Sequence, residues 1–129
     1  MPRLLIDEFC HIIGCDKDEL HIFLQNPSIR NELMNFGVGT VLRTTFKNEF
    51  GTKFIYYFQQ LSTYCAKDLK PFKKFPDQTI EEYFSSVHQC KLLYPQLPCI
   101  TCMNFSEYEL HFQPIELLEL FADYIAIPY

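Results

Sequence analysis

Six cysteines and four histidines are the side chains of this 129-residue sequence best suited to ligating a metal or acting as nucleophiles. Cys99 and Cys102 have the C-x-x-C spacing of half a zinc site, yet tetrahedral zinc needs two further nitrogen or sulfur ligands. No second C-x-x-C and no closely spaced pair of histidines accompanies them, and only His88 and His111 lie near along the chain. The plainer reading is of small, half-buried strand residues. Three disulfides would require an oxidising compartment, to which nothing here points. Cys10, Cys15, Cys65, Cys90, Cys99 and Cys102 therefore read as free thiols. No Ser-His-Asp arrangement, carboxylate pair or phosphate-cradling loop stands out. The expectation is a non-enzyme with no metal and no cofactor.

Charge and aromatic content give a second set of candidates. The net charge is −5, which argues against a nucleic-acid partner when taken whole. Along the chain it divides. Residues 43–91 hold eight basic side chains (Arg43, Lys47, Lys53, Lys67, Lys70, Lys73, Lys74 and Lys91) against five acids, a local +3, whereas the stretches on both sides are acidic. Such a middle could face phosphates; equally, Lys67 to Lys74 could be a solvated loop. Aromatic residues make up 16% of the chain, 13 Phe and 8 Tyr without a Trp, which is high for an ordinary core.

The elements that would carry these residues are legible in part. At this length one core suffices and two have little room. No apolar run reaches the roughly 18 residues of a membrane span. Asp7 and Glu8 stand where a signal peptide would continue its apolar stretch, so the chain reads as intracellular. Leu4, Leu5, Phe9, Ile12 and Ile13 form one helical stripe over 3–14, with Gly14 as its stop. Asn26 and Pro27 are a good N-cap and first helical residue for a second helix carrying Ile29 and Leu33, which Gly37 and Gly39 should interrupt. From Thr40 the texture is β. GTVLRTTF and KFIYYFQQL predict an antiparallel hairpin whose second strand turns Phe54, Tyr56 and Phe58 one way and Ile55, Tyr57 and Leu61 the other. Lys67 to Gln78, with two prolines and four lysines, predicts a loop. Thr79 and Glu82 then have capping-box spacing for a helix over about 79–88, with Ile80, Phe84 and Val87 inward and Tyr83 and His88 at its edges. Strands follow near 98–103 and 109–113, and Pro114 opens IELLELF, which periodicity leaves undecided between strand and helix.

Three stretches of this sequence carry a resemblance: Thr79-Ile-Glu-Glu-Tyr83-Phe84, then Leu92-Leu-Tyr94-Pro95-Gln-Leu97-Pro98-Cys99-Ile100, then Gln113-Pro114-Ile115-Glu116-Leu117. Together with Tyr56-Tyr-Phe-Gln-Gln-Leu61 and the two leading helices, they resemble the PAZ domain of Argonaute proteins over about residues 3–121, most specifically in the Y-P-x-L-P-C element. The resemblance implies an α+β fold, a small OB-like β-barrel with an inserted α/β appendage (a β-hairpin plus helix) and N-terminal helices. It implies one domain over 1–129, cut from a longer Argonaute chain. The implied partners are the 3′ end of a single-stranded small RNA, in a cleft between barrel and appendage, and the rest of the parent, in small-RNA-guided silencing in the cytoplasm or nucleus. Single-stranded ends expose base faces and hydroxyls, so stacking aromatics and donors to phosphate suit that task.

By that resemblance Tyr56 and Tyr83 would reach phosphate and Phe72 would lie under the terminal nucleotide, the alternatives being a core aromatic for Tyr56 and a plug anchoring the loop for Phe72. Phe54 stands where the family usually has Arg, with Lys53 beside it as a substitute. Val87-His88 stands where the family has Lys-Tyr. His88 can still donate from either ring nitrogen, weakly unless protonated. Lys47, Lys70, Lys73 and Lys74 would supply a supporting basic field. Each lost charged contact costs about 1.5–3 kcal/mol. A second reading is therefore a PAZ-fold scaffold or protein-interaction module whose pocket has lapsed.

Overall fold

The computed structural model describes residues 3–38, 40–47, 51, 53–70, 77–104 and 110–120. Three helices lead: α1 (Leu5–Ile13), α2 (Leu20–Phe23) and α3 (Pro27–Gly37). They are followed by β1 (Val41–Lys47), β2 (Lys53–Cys65), α4 (Ile80–Val87), β3 (Pro98–Asn104), β4 (Leu110–Pro114), a 3-10 turn at Ile115–Leu117 and β5 (Leu118–Leu120). All five strands join one antiparallel sheet in the order β4-β3-β2-β1-β5.

The expected barrel is present as a curled sheet that is not closed. Its edges, β4 and β5, are joined by the three residues of the 3-10 turn. In a flat sheet four strand spacings would hold those edges about 19 Å apart. Four residue steps from Pro114 to Leu118 span at most about 14 Å. The sheet must therefore bend until its edges approach.

Local chemistry explains most element boundaries. Gly14 ends α1 at φ 81, a left-handed conformation that glycine adopts without a Cβ clash. Asn26 Oδ1 accepts from Ser28 N at 2.9 Å, and Pro27 opens α3 with its fixed φ. The helix stops at Gly37, as expected, and Gly39 lies outside the described residues. A Cβ on Gly37 would lie 2.8 Å from Phe58 Cε2, so a bare backbone lets α3 rest on β2. In β2 the pairing slips between Phe58 and Gln60, an extra residue in the strand. That slip brings Leu61 to the same buried cluster as Tyr56 and Phe58, where strict alternation would turn it away. The strand also continues past the expected end at Leu61 to Cys65. The undecided IELLELF segment resolves into the 3-10 turn and the short β5.

Two packed clusters result. The larger joins Leu5, Ile6 and Phe9 of α1 to Leu33, Leu42, Tyr56, Phe58, Ile100 and Cys102. The smaller gathers Ala66, Ile80, Phe84, Leu92 and Cys99 beneath α4.

Candidate functional site

Helix α4 is fixed at its start by its own sequence. Glu82 N donates to Thr79 Oγ1 at 3.2 Å, and Thr79 N donates to Glu82 Oε1 at 2.9 Å, the reciprocal pair expected of this spacing. The backbone and hydroxyl of Thr79 hold the Glu82 carboxyl below its usual range. Two further bonds, Ile80 N to Leu69 O at 2.8 Å and Glu81 N to Ala66 O at 3.0 Å, tie the helix to the turn that follows β2. Ile80 and Phe84 are buried, as expected, whereas Val87 is 46% exposed.

Beside that anchor four rings gather, with Phe84 buried, Phe46 and Tyr83 half-buried and His88 exposed. The His88 ring lies 5.0 Å from Phe46 of β1, 5.0 Å from Phe84 and 5.5 Å from Tyr83, the last edge-on at 78°. Phe46 and Phe84 meet edge to face at 5.8 Å. Burial raises the Tyr83 phenol pKa, which keeps the hydroxyl protonated. Partial burial lowers the His88 pKa even though the residue as a whole remains exposed. At neutral pH His88 thus presents a neutral imidazole with one donor and one acceptor.

Tyr56 and Phe54 belong to the other cluster. Their rings are 6.2 Å apart, and Tyr56 is 5.7 Å from His111 of β4. Tyr56 is only 2% exposed, and Gln113 Nε2 donates to its hydroxyl oxygen at 3.1 Å. The structure therefore brings Tyr83 and His88 together with Phe46 and Phe84, and sets Tyr56 and Phe54 within the main core.

The basic candidates divide similarly. Lys53 Nζ bonds Glu119 Oε1 at 3.0 Å, and Arg43 Nε bonds the same oxygen at 2.7 Å. Arg43 and Glu119 are directly opposed across β1 and β5. Burial would raise the Glu119 pKa, but the bonds from Lys53 and Arg43 outweigh it and leave the carboxyl depressed. Lys70 is exposed, and Lys47 ends β1. Phe72, Lys73 and Lys74 lie outside the described residues.

Sequence reading did not anticipate the part played by Glu116. Its carboxylate accepts from Leu93 N and Tyr94 N, both at 2.9 Å, and so clasps the Tyr94-Pro95 turn to the end of β4. The signal was available in the joint presence of Y-P-x-L-P-C and P-I-E-L. The C-x-x-C element does not converge: three residues apart on a strand, the side chains leave opposite faces. Cys99 enters the smaller cluster and Cys102 the larger, and burial raises both thiol pKa values. Among the described residues no three His, Cys, Asp or Glu side chains are placed to hold a metal.

Fold and site together define a small α+β domain: a curled antiparallel sheet backed by N-terminal helices, with a capped helix and an aromatic cluster on its flank. No protein-family model and no curated protein matches the chain. Solved structures do, and the fold is that of a PAZ domain. The PAZ domain of Drosophila Argonaute 2, solved for its recognition of nucleic-acid 3′ ends, aligns with TM-score 0.68 and 23% identity over 93% of this chain and 94% of that one. A Drosophila Argonaute PAZ domain in complex with 3′-end 2′-O-methylated RNA aligns with TM-score 0.57 and 28% identity over 71% of this chain and 76% of that one. Giardia Dicer aligns with TM-score 0.53 and 20% identity over 81% of this chain, which spans 17% of the Dicer chain.

Proposed function

We propose that this chain binds the 3′ end of a short single-stranded guide RNA, without catalysis, as the end-holding domain of an Argonaute acting in small-RNA-guided silencing in the cytoplasm or nucleus. The observation that carries this reading is the likeness, over nearly the whole chain, to an Argonaute PAZ domain that recognises nucleic-acid 3′ ends. The aromatic cluster supports it. Tyr83 supplies a protonated hydroxyl at the edge of α4, and His88 an exposed, neutral imidazole beside it, the kinds of donor and ring that single-stranded ends call for. Phe72 and the lysines at 70, 73 and 74 fall in the adjoining stretch of sequence and complete the proposed set. Any strand cleavage belongs to another domain of the parent.

The test is fluorescence anisotropy with a short single-stranded RNA bearing either a free or a phosphate-blocked 3′ end, at two salt concentrations. End recognition predicts preference for the free end. It also predicts a loss of about tenfold or more on Tyr83→Phe, which removes one hydrogen bond to a charged phosphate, about 1.5–3 kcal/mol. Equal affinity for both ends, falling steeply with salt, would reduce the interaction to non-specific charge and overturn the proposal.

Two contacts favour a second reading, a PAZ scaffold without an RNA pocket: Gln113 engages the Tyr56 hydroxyl, and Glu119 holds Lys53. That reading predicts no binding of either RNA at micromolar protein.

A further inference from the structure

The end of α1 has a feature unrelated to RNA. The carbonyl of Cys10 accepts from two amides beyond the helix, Gly14 N at 2.8 Å and Cys15 N at 3.1 Å. With Gly14 in the left-handed conformation, this is the glycine-capped helix end in which the residue after the glycine folds back onto the last turn. The two side chains that such a cap brings into contact are normally a pair of hydrophobes. Here both are cysteines. Cys10 is 9% exposed within the main core, and Cys15 packs against that core while remaining half-buried. Both cysteines line one shallow, open depression that Asp7, His11, Asp16 and Glu19 also border.

We propose that Cys10 and Cys15 are a reversible modification site, a dithiol that a hydroperoxide converts to an intramolecular disulfide across the helix cap. In the first step the Cys15 thiolate, on the more accessible sulfur, attacks a peroxide oxygen. The O–O bond breaks, and Cys15 becomes a sulfenic acid as water or an alcohol leaves. The Cys10 sulfur then attacks the Cys15 sulfur, the S–O bond breaks, and a second water carries away the hydroxyl. Two electrons pass from the sulfurs to the peroxide, and the two thiol protons end in the departing molecules. The cap supplies what the second step needs, two cysteines whose backbones are held together by the Gly14 and Cys15 amides on the Cys10 carbonyl. Lys17 pairs with Asp7 at 3.1 Å, and the remaining rim carboxylates, Asp16 and Glu19, favour a neutral oxidant over an anionic disulfide such as oxidised glutathione. Burial, the neighbouring Cys15 and Asp7 push Cys10 up to about 11, and burial also raises Cys15, so the pair reacts slowly beside a low-pKa sensor thiol.

The other half-buried thiols, Cys65 and Cys90, serve as internal controls. The folded chain is treated with hydrogen peroxide at neutral pH, quenched, alkylated and digested for mass spectrometry. The expected product is a peptide in which Cys10 and Cys15 escape alkylation and have lost two hydrogens, restored to two alkylated cysteines by dithiothreitol. Cys15→Ser, a change at a half-buried position whose folding is checked by circular dichroism, should abolish that product and leave Cys10 alkylatable. A bridge forming first between Cys65 and Cys99, dimers on a non-reducing gel, or Cys15 advancing to the sulfinic acid with Cys10 unchanged would each overturn the proposal.

Discussion

Glu119 is the most informative residue to perturb, because one buried carboxylate oxygen is shared by Lys53 and Arg43 while its backbone pairs β5 with β1. Glu119→Gln keeps the shape and removes the charge. Charge-assisted hydrogen bonds contribute about 1.5–3 kcal/mol each and neutral ones about 0.5–1.5. Arg43 and Lys53 stay ionised, so their bonds to the amide oxygen remain charge-assisted on the donor side, and removing the acceptor's charge gives a loss of roughly 1–3 kcal/mol. Arg43 and Lys53 are 32% and 27% exposed, so water recovers part of their solvation. The expected loss is therefore about 2 kcal/mol. With a urea slope of about 1.5 kcal/mol per molar, the unfolding midpoint should fall by about 1.3 M at pH 7.

The pH dependence is a second constraint on the same argument. Because the folded-state pKa of Glu119 lies below its unfolded value, its contribution is complete above the unfolded carboxylate pKa of about 4.3. It disappears as pH falls through the folded value. The gap between the native chain and Glu119→Gln should thus be full at pH 7 and close as the buffer is taken below about 4. A loss under about 0.5 kcal/mol at pH 7, or a gap that does not change with pH, would refute the reasoning.

Gly37→Ala should destabilise by about 1–2 kcal/mol in denaturant titration, since crowding the Phe58 ring outweighs the helix-propensity gain of about 1 kcal/mol. Thr79→Ala should lose about 1 kcal/mol in the same titration, with faster amide exchange at Glu82. Glu116→Ala strips an acceptor from two backbone amides near the surface, so a loss of about 1–2 kcal/mol is expected, with amide exchange rising at Leu93 and Tyr94 while Ile100 is little changed.

What the sequence disclosed follows from how local each signal is. Gly14, Asn26-Pro27 and Thr79/Glu82 act on amides a few residues away, and the elements they delimit appear where those residues predict. The one-turn helix at Leu20–Phe23 was not legible, because a single buried Leu20 makes no periodic stripe and Glu19 gives no side-chain cap. The extra residue in β2 was equally hidden, since it is set by pairing with β3, a partner some forty positions along the chain. In the site, the placement of Tyr83 and His88 at the edges of α4 came directly from helical spacing. Lys53 could not be assigned to Glu119 before the sheet order placed β5 beside β1. The same holds for Tyr56 and Gln113, which lie 57 positions apart.

The two coats on β3 bear on how this chain melts. Ile100 and Cys102 are wrapped by the N-terminal helices and the curled sheet, and Cys99 by the residues under α4. A segment clad on both sides has no surface from which to peel, so its amides exchange only when both coats come away. Either coat can therefore loosen by itself while β3 keeps the other, which makes this strand the slowest part of the sheet to exchange.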